Sequence, residues 1–249
     1  MNKKNLLVWG IIVVLLFGAF GQHFEVQVSE QLQPTPITNI AEEIITEAPV
    51  YKTTHTRLLQ DYPAIAIALG GSISIEDYYS EIVQLHLTDL NKFPPDILKK
   101  IKDFGYRIRV GDKTVTDFSE AKHLKGLTPR GWESIGITWD DVAGCNNRSK
   151  RLVILGSGIH GSSSLALHET AHAIDHAMGI TQSPEMEYFH KKAYNELGEY
   201  YKQDGPGGAT GMEEMFAESV ANILQDQDYW SKEYEQFVKD ILGVKESGY

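Results

Sequence analysis

The pentapeptide His168-Glu169-Thr170-Ala171-His172 is the feature that most restricts the possible fold and function of this chain. On an α-helix, residues four apart lie on one face, so the two imidazoles point the same way, about one turn apart. Imidazoles placed in this way can bind one Zn²⁺, and a glutamate directly after the first histidine projects beside the metal. The pattern therefore predicts a zinc site, with Glu169 as the general base that takes a proton from water.

The sequence around this motif favours a buried helix. Ser162, Ser163 and Ser164 precede the motif and are good N-cap residues. Apolar side chains also recur at helical spacing and predict a face that packs against the core. These side chains are Leu167, Ala171, Ile174 and Met178. The histidines should therefore lie at the edge of a cleft, above a packed face.

A zinc site in a hydrolase needs a third protein ligand and an open position. The best source is the segment 213–218, on a predicted downstream helix, where Glu214 and Glu218 lie four apart and share one face. One of them can bind the metal while the other orients a ligand histidine, and spacing alone leaves the assignment open. Asp175, three residues after His172, is another candidate for orienting a histidine.

The remaining pattern predicts an α+β fold, with a small sheet packed on a mostly helical body. Apolar spacing predicts further helices, and proline fits the first turn of one of them. These helices cover residues 76–90, 94–105, 184–201, 213–225 and 230–242. Strict alternation at 106–110, followed by Gly111-Asp112 and then by 113–116, predicts a β-hairpin. The apolar run 151–155 predicts one more short strand.

The N-terminus has the pattern of a targeting segment. Lys3 and Lys4 precede an uncharged apolar run at 6–20, which is shorter than the roughly 20 apolar residues that span a membrane. We therefore favour a signal peptide at 1–21, and thus a secreted protein, over a single uncleaved N-terminal membrane anchor. Residues 22–50 are polar and contain three prolines, which predicts a linker before a globular domain at 51–249.

Charge and cysteine content exclude several classes of protein. The net charge of −11 offers no basic stripe for phosphates, so we expect no nucleic-acid partner. The single cysteine, Cys145, excludes an intrachain disulfide. Because it lies in the turn-like segment 144–147, we interpret it as a loop thiol and not as a nucleophile.

The two glutamate and histidine motifs resemble the catalytic domain shared by anthrax lethal factor and the secreted clostridial Pro-Pro endopeptidases. The similarity is strongest at 168–175 and 214–218, is weaker at 93–101 and 131–144, and covers roughly 92–224. The resemblance implies a zincin-type metallopeptidase fold that binds one Zn²⁺. It also implies that His168, His172 and Glu214 are the metal ligands, that Glu169 is the general base, and that Glu218 orients a ligand.

The resemblance has a further implication for substrate binding. The strand that contains Leu152, Val153 and Ile154 looks like the edge strand that, in this family, pairs with an extended peptide substrate. In such pairing, main-chain hydrogen bonds supply affinity and side-chain pockets supply selectivity. The expected partner is therefore an extended peptide or protein.

One position departs from the family pattern. The family carries a tyrosine seven residues before its glutamate ligand, and this chain has Gly207 there. Tyr200 and Tyr201 are the candidates to replace it, provided that their loop folds back over the site. The sequence thus leaves two hypotheses: an exported zinc metalloendopeptidase, and a catalytically impaired zinc-binding relative that acts as a peptide-binding module.

Overall fold

A computed structural model describes residues 48–129 and 136–244 of the chain. Within these residues the fold contains eight α-helices and a small sheet. The helices are α1 (Ala48–Asp61), α2 (Pro63–Leu69), α3 (Glu81–Leu90), α4 (Pro95–Asp103), α5 (Leu165–Met178), α6 (Pro184–Ala193), α7 (Ala209–Leu224) and α8 (Lys232–Leu242). This composition confirms the predicted α+β class.

Four strands form the sheet. They are β1 (Ile73–Ile75), β2 (Arg107–Val110), β3 (Gly144–Asn147) and β4 (Leu152–Leu155), and they lie in the order β1-β2-β4-β3. The first three in this order are parallel, and β3 runs antiparallel to β4. One edge of the sheet is therefore β3, which immediately precedes β4 in the chain.

The predicted β-hairpin is wrong. β2 pairs in parallel with β1 and β4, and Val115–Asp117 forms a 3-10 turn where the second hairpin strand was expected. Val115 and Phe118 pack into a small second core beneath Ile154. The alternating pattern correctly indicated a strand with one buried face, but alternation says nothing about which strands are its neighbours.

The prediction that Leu152, Val153 and Ile154 form an edge strand is also wrong. β4 lies between β2 and β3, and all four of its side chains are buried. An uninterrupted apolar run is typical of a strand that is covered on both faces. The edge of the sheet next to β4 is instead β3, whose polar sequence is typical of a turn.

The helix predictions differ from the structure mainly at their ends. α4 begins at Pro95 as expected, whereas α3 begins only at Glu81, after Ser80 accepts a hydrogen bond from the Ile82 amide. The predicted helix 184–201 ends at Ala193, and the helix of the second glutamate motif begins earlier than predicted, at Ala209. Helix ends depend on capping contacts that apolar spacing does not report.

The motif-bearing helix α5 lies at the centre of the molecule. Ser164 caps its N-terminus by accepting a hydrogen bond from the Leu167 amide, and Gly179 ends it in the left-handed conformation. Three residues of its predicted apolar row are buried, and Met178 is partly exposed. The helix packs against α7 on one side and against β3 and β4 on the other. This placement brings the motif to the boundary between helices and sheet.

The predicted N-terminal segments lie almost entirely outside the described residues. Residues 1–21 and most of 22–50 belong to that part of the chain, and α1 begins at Ala48, within the predicted linker. Among the helices of the described residues, none has the length and apolar character needed to cross a membrane.

Candidate metal centre and cleft

Three side-chain atoms from α5 and α7 lie close to one another. His168 Nε2 lies 3.1 Å from His172 Nε2 and 3.3 Å from Glu214 Oε2, and His172 Nε2 lies 3.5 Å from the same oxygen. Tetrahedral zinc with ligand bonds of about 2.0–2.1 Å holds its ligand atoms about 3.3–3.4 Å apart. The spacing and chemistry of this trio therefore fit one zinc ion.

Glu218 contacts the other ring nitrogen of His168. Its Oε2 lies 3.2 Å from His168 Nδ1, and its Oε1 accepts a hydrogen bond from the Ser163 amide at 3.3 Å. When Nδ1 donates to this carboxylate, Nε2 keeps its lone pair for a metal. Although burial opposes the charged form, the bond to His168 keeps the pKa of Glu218 below its usual value. Glu214 and Glu218, which helical spacing could not distinguish, therefore contact different nitrogens of His168.

The electrostatics of the trio favour its charged form. Burial opposes ionisation of Glu214, but the two histidines hold its pKa well below the usual value. Burial likewise opposes a positive charge on His168, but hydrogen bonds to Glu214 and Glu218 raise its pKa well above the usual value. The carboxylates of Glu214 and Glu218 therefore stabilise a positive charge at this site, and a bound cation would take the place of the imidazole proton.

Glu169 lies on the wall of the same cleft. Burial raises the pKa of its carboxyl, while the neighbouring histidines act in the opposite direction. A carboxylate with a raised pKa is a stronger base than one in water, which suits proton transfer near neutral pH. Its backbone carbonyl accepts a hydrogen bond at 3.2 Å from the side chain of Asn146, on β3.

Asp175 does not take the role predicted for it. Its Oδ1 accepts from the Thr181 amide at 2.7 Å, and its Oδ2 accepts from the Thr181 hydroxyl at 3.0 Å and from Arg148 Nη2 at 2.8 Å. Its short side chain thus points to the turn after α5 and away from the ligand histidines. Asp175 fixes the end of the helix instead.

The metal trio opens into a cleft of about 510 Å³. One wall is β3, where Gly144 permits a close approach to β4. A Cβ at this glycine would lie 2.6 Å from the Ile154 carbonyl oxygen and 3.0 Å from the Leu165 side chain. The opposite wall includes Tyr200 and Tyr201.

Cys145 lies on β3 and lines this cleft, so the prediction of a loop thiol is wrong in its location. Burial, together with the charge of Glu169, raises the pKa of the thiol to about 12. The thiol therefore stays protonated at neutral pH, which agrees with the interpretation that it is not a nucleophile.

Tyr200, one of the two candidates for the role of the family tyrosine, contacts the metal trio. Its hydroxyl donates a hydrogen bond to Glu214 Oε2, fourteen residues along the chain. Gly207 has φ +77°, and a Cβ there would lie 2.9 Å from Lys191 Cε and 3.1 Å from Glu187 Cγ. A tyrosine at 207 would therefore be strained and crowded.

Comparison with known proteins identifies similar chains. The sequence matches the family described as "Anthrax toxin lethal factor, N- and C-terminal domain" over residues 72–238. The Pro-Pro endopeptidase of Paenibacillus alvei is 35% identical over 139 residues, which are 54% of this chain and 63% of the relative. The Pro-Pro endopeptidase of Clostridioides difficile is 38% identical over 142 residues, which are 54% of this chain and 61% of the relative.

A solved structure of the Paenibacillus alvei Pro-Pro endopeptidase has a similar fold. It superposes with a TM-score of 0.51 at 26% identity and covers 71% of this chain and 95% of that chain. Against the full curated sequences, the matches span less than two thirds of each relative's length.

Proposed function

The chain belongs to the anthrax toxin lethal factor family, and we propose that it is an exported zinc-dependent endopeptidase that cleaves extended peptides or proteins. One observation carries this proposal: the convergence of His168, His172 and Glu214 within ligand distance of one another, with Glu169 on the same cleft wall. A site that only stores zinc has no need of a basic carboxylate beside an open cleft.

The residues around the trio supply the steps of hydrolysis. Zinc at this position would polarise the scissile carbonyl and lower the pKa of water. Glu169 accepts the proton of the attacking water and passes it to the leaving amine. Its raised pKa assists the first transfer, because a stronger base takes up the proton more readily.

Tyr200 is the proposed electrophilic partner. Burial, followed by the charge of Glu214, raises the pKa of its hydroxyl well above the usual value, so the group remains a hydrogen-bond donor. A donor beside a metal ligand can stabilise the negative charge that develops on the carbonyl oxygen. We therefore favour catalysis over the alternative function, a catalytically impaired peptide-binding module, whose main support is Gly207.

The substrate is proposed to bind along β3. This strand forms an edge of the described sheet, so an extended peptide can add to its outer side by main-chain hydrogen bonding. The cleft beside it has apolar lining residues that include Trp139, Val142, Ile159 and Leu165. Such a lining suits apolar side chains, and we propose that it accepts proline-containing peptides, since the two relatives are named Pro-Pro endopeptidases.

The proposal also covers export. The charged and apolar pattern of residues 1–21 supports it, with cleavage of this segment giving a secreted protein and retention giving a membrane-anchored one. Expression in a bacterial host, followed by N-terminal sequencing of protein from the medium and from the membrane fraction, separates these two outcomes.

A peptide-library assay tests the proposed activity. Zinc-loaded protein is incubated with peptides that do and do not contain consecutive prolines, with and without a chelator. We expect cleavage that the chelator abolishes and that zinc restores. Peptide binding to the zinc-loaded protein without cleavage of any peptide would instead establish the peptide-binding module.

A further inference from the structure

We propose that His190 is a positioning residue: it holds the loop between α6 and α7, and with it Tyr200, beside the metal centre. His190 is fully buried on α6 and is not among the residues that line the cleft. Both of its ring nitrogens contact the connection between α6 and α7: Nε2 lies 2.7 Å from the Tyr201 carbonyl oxygen, and the Gly207 amide donates to Nδ1 at 2.9 Å. The inference rests on the proposed function, because it assigns what holds the proposed electrophile in place.

The two contacts determine which ring nitrogen of His190 carries the proton. The Gly207 N–H is a donor, so Nδ1 must accept and carries no proton. The proton is then on Nε2, which donates to the carbonyl of Tyr201. One neutral ring therefore bridges both ends of the segment 201–207 and closes it into a fixed shape.

The backbone of the same loop packs closely against the first turn of α7. A Cβ at Gly211 would lie 2.4 Å from the Tyr201 carbonyl oxygen and 2.9 Å from His190 Nε2. A Cβ at Gly208 would lie 2.5 Å from the Gln203 carbonyl oxygen. The two glycines thus let the backbone of the loop settle directly against the helix that carries Glu214.

His190 acts with other contacts, among them the packing of Tyr201 on Trp230, to order the segment that contains Tyr200. Tyr200 lies in a single 3-10 turn, Glu199–Lys202, within the connection between α6 and α7. Its hydroxyl must nevertheless stay at the carboxylate of Glu214. A misplacement of about 1 Å in a reacting group can cost about 100-fold in rate. His190 therefore acts on catalysis through Tyr200 and does not itself line the cleft.

A double-mutant cycle tests this assignment. His190→Phe keeps a ring but removes both hydrogen bonds, and we expect kcat to fall about 10- to 100-fold with KM and zinc content unchanged. His190→Asn and His190→Gln can each keep one of the two bonds and should lose less. In the Tyr200→Phe background, the same changes at His190 should cause no further loss. An equal loss of kcat in both backgrounds would overturn the proposal, because His190 would then act on the fold as a whole.

A second measurement does not depend on cleavage. The protein is labelled with 3-fluorotyrosine, and the ¹⁹F resonance of Tyr200 is assigned by its absence in Tyr200→Phe. We expect this resonance to shift in His190→Asn and His190→Gln, and in His190→Phe if that variant folds. An unchanged chemical shift in every folded variant would refute the positioning role of His190. If the unmodified protein cleaves no peptide but the resonance shifts, the proposed function fails while the positioning role stands.

Discussion

Arg148 Nη2 lies 2.8 Å from Asp175 Oδ2, which connects the end of the edge strand β3 to the helix of both proposed ligand histidines. The Nη1 atom of the same guanidinium lies 2.7 Å from Oε1 of Glu213, the residue before the proposed ligand Glu214. One side chain therefore joins β3, α5 and α7, the three elements that must keep their distances for a peptide on β3 to reach the metal. No motif in the sequence pointed to this residue.

Replacing Arg148 should lower stability as well as activity. Arg148→Met leaves the buried carboxylate of Asp175 with only its Thr181 contacts, and a lost hydrogen bond to a charged group typically costs about 1.5–3 kcal/mol. We expect a decrease of this size in the free energy of unfolding measured in urea. Lys150→Met removes an exposed cation from the same turn and should have little effect. Equal stability of the two variants would contradict a structural role for Arg148.

Glu169→Gln should separate zinc binding from catalysis. The amide cannot accept the proton of the attacking water, and loss of a general base typically costs about 100- to 10,000-fold in rate. Zinc content should not change, because Glu169 lies outside the ligand trio. Metal analysis and a peptide-cleavage assay measure the two effects, with Glu185→Gln on the exposed face of α6 as the matched control. Full activity of Glu169→Gln would disprove the proposed mechanism.

Glu218→Gln should weaken zinc binding without abolishing it. The carboxylate that orients His168 becomes a neutral amide, and changes of this kind typically cost about 10- to 100-fold in metal affinity. His168→Ala removes a ligand and should lose the metal. Competition with a chromogenic chelator measures both affinities. If Glu218→Gln bound zinc as tightly as the unmodified protein, the contact to His168 would have no part in metal binding.

More of the metal centre than of the cleft could be predicted from the sequence. Helical spacing alone places His168, Glu169 and His172 together, since their separation is local. By contrast, the predicted edge strand β4 lies inside the sheet, and the segment 144–147, predicted as a turn, forms the edge strand β3. Alternation and apolarity report which faces of a strand are buried but not which strand lies outermost. Tyr200 depends on the path of a whole loop, and the buried contacts of His190 that set this path leave no periodic signal.

His86 should make stability depend on pH. Burial lowers the pKa of this side chain, which has 3% of its surface exposed, and its Nε2 contacts the Gly156 carbonyl oxygen at 2.8 Å. The unfolded chain then takes up a proton at a higher pH than the folded chain does. Stability is therefore complete above the unfolded pKa of about 6.5 and is lost as the pH falls from there towards the lower folded pKa.

Urea unfolding between pH 8 and pH 5 measures this effect. The free energy of unfolding should decrease over that interval in the unmodified protein, and His86→Gln should show a shallower decrease. Exposed His123 offers a control, since His123→Gln should leave the pH dependence as it is. Identical slopes in all three proteins would assign the pH dependence to other groups.

Tyr200→Phe should lower kcat with little effect on KM or on zinc content. Removing one donor that stabilises a developing oxyanion typically costs about 100- to 1,000-fold in kcat, and the lost hydroxyl contacts Glu214 without belonging to the ligand trio. Tyr188→Phe, on the exposed side of α6, is the matched control. Tyr201→Phe tests the neighbouring candidate on the same wall and should keep its activity, because Tyr201 is held through its backbone carbonyl. The opposite result, an active Tyr200→Phe and an inactive Tyr201→Phe, would transfer the electrophilic role to Tyr201.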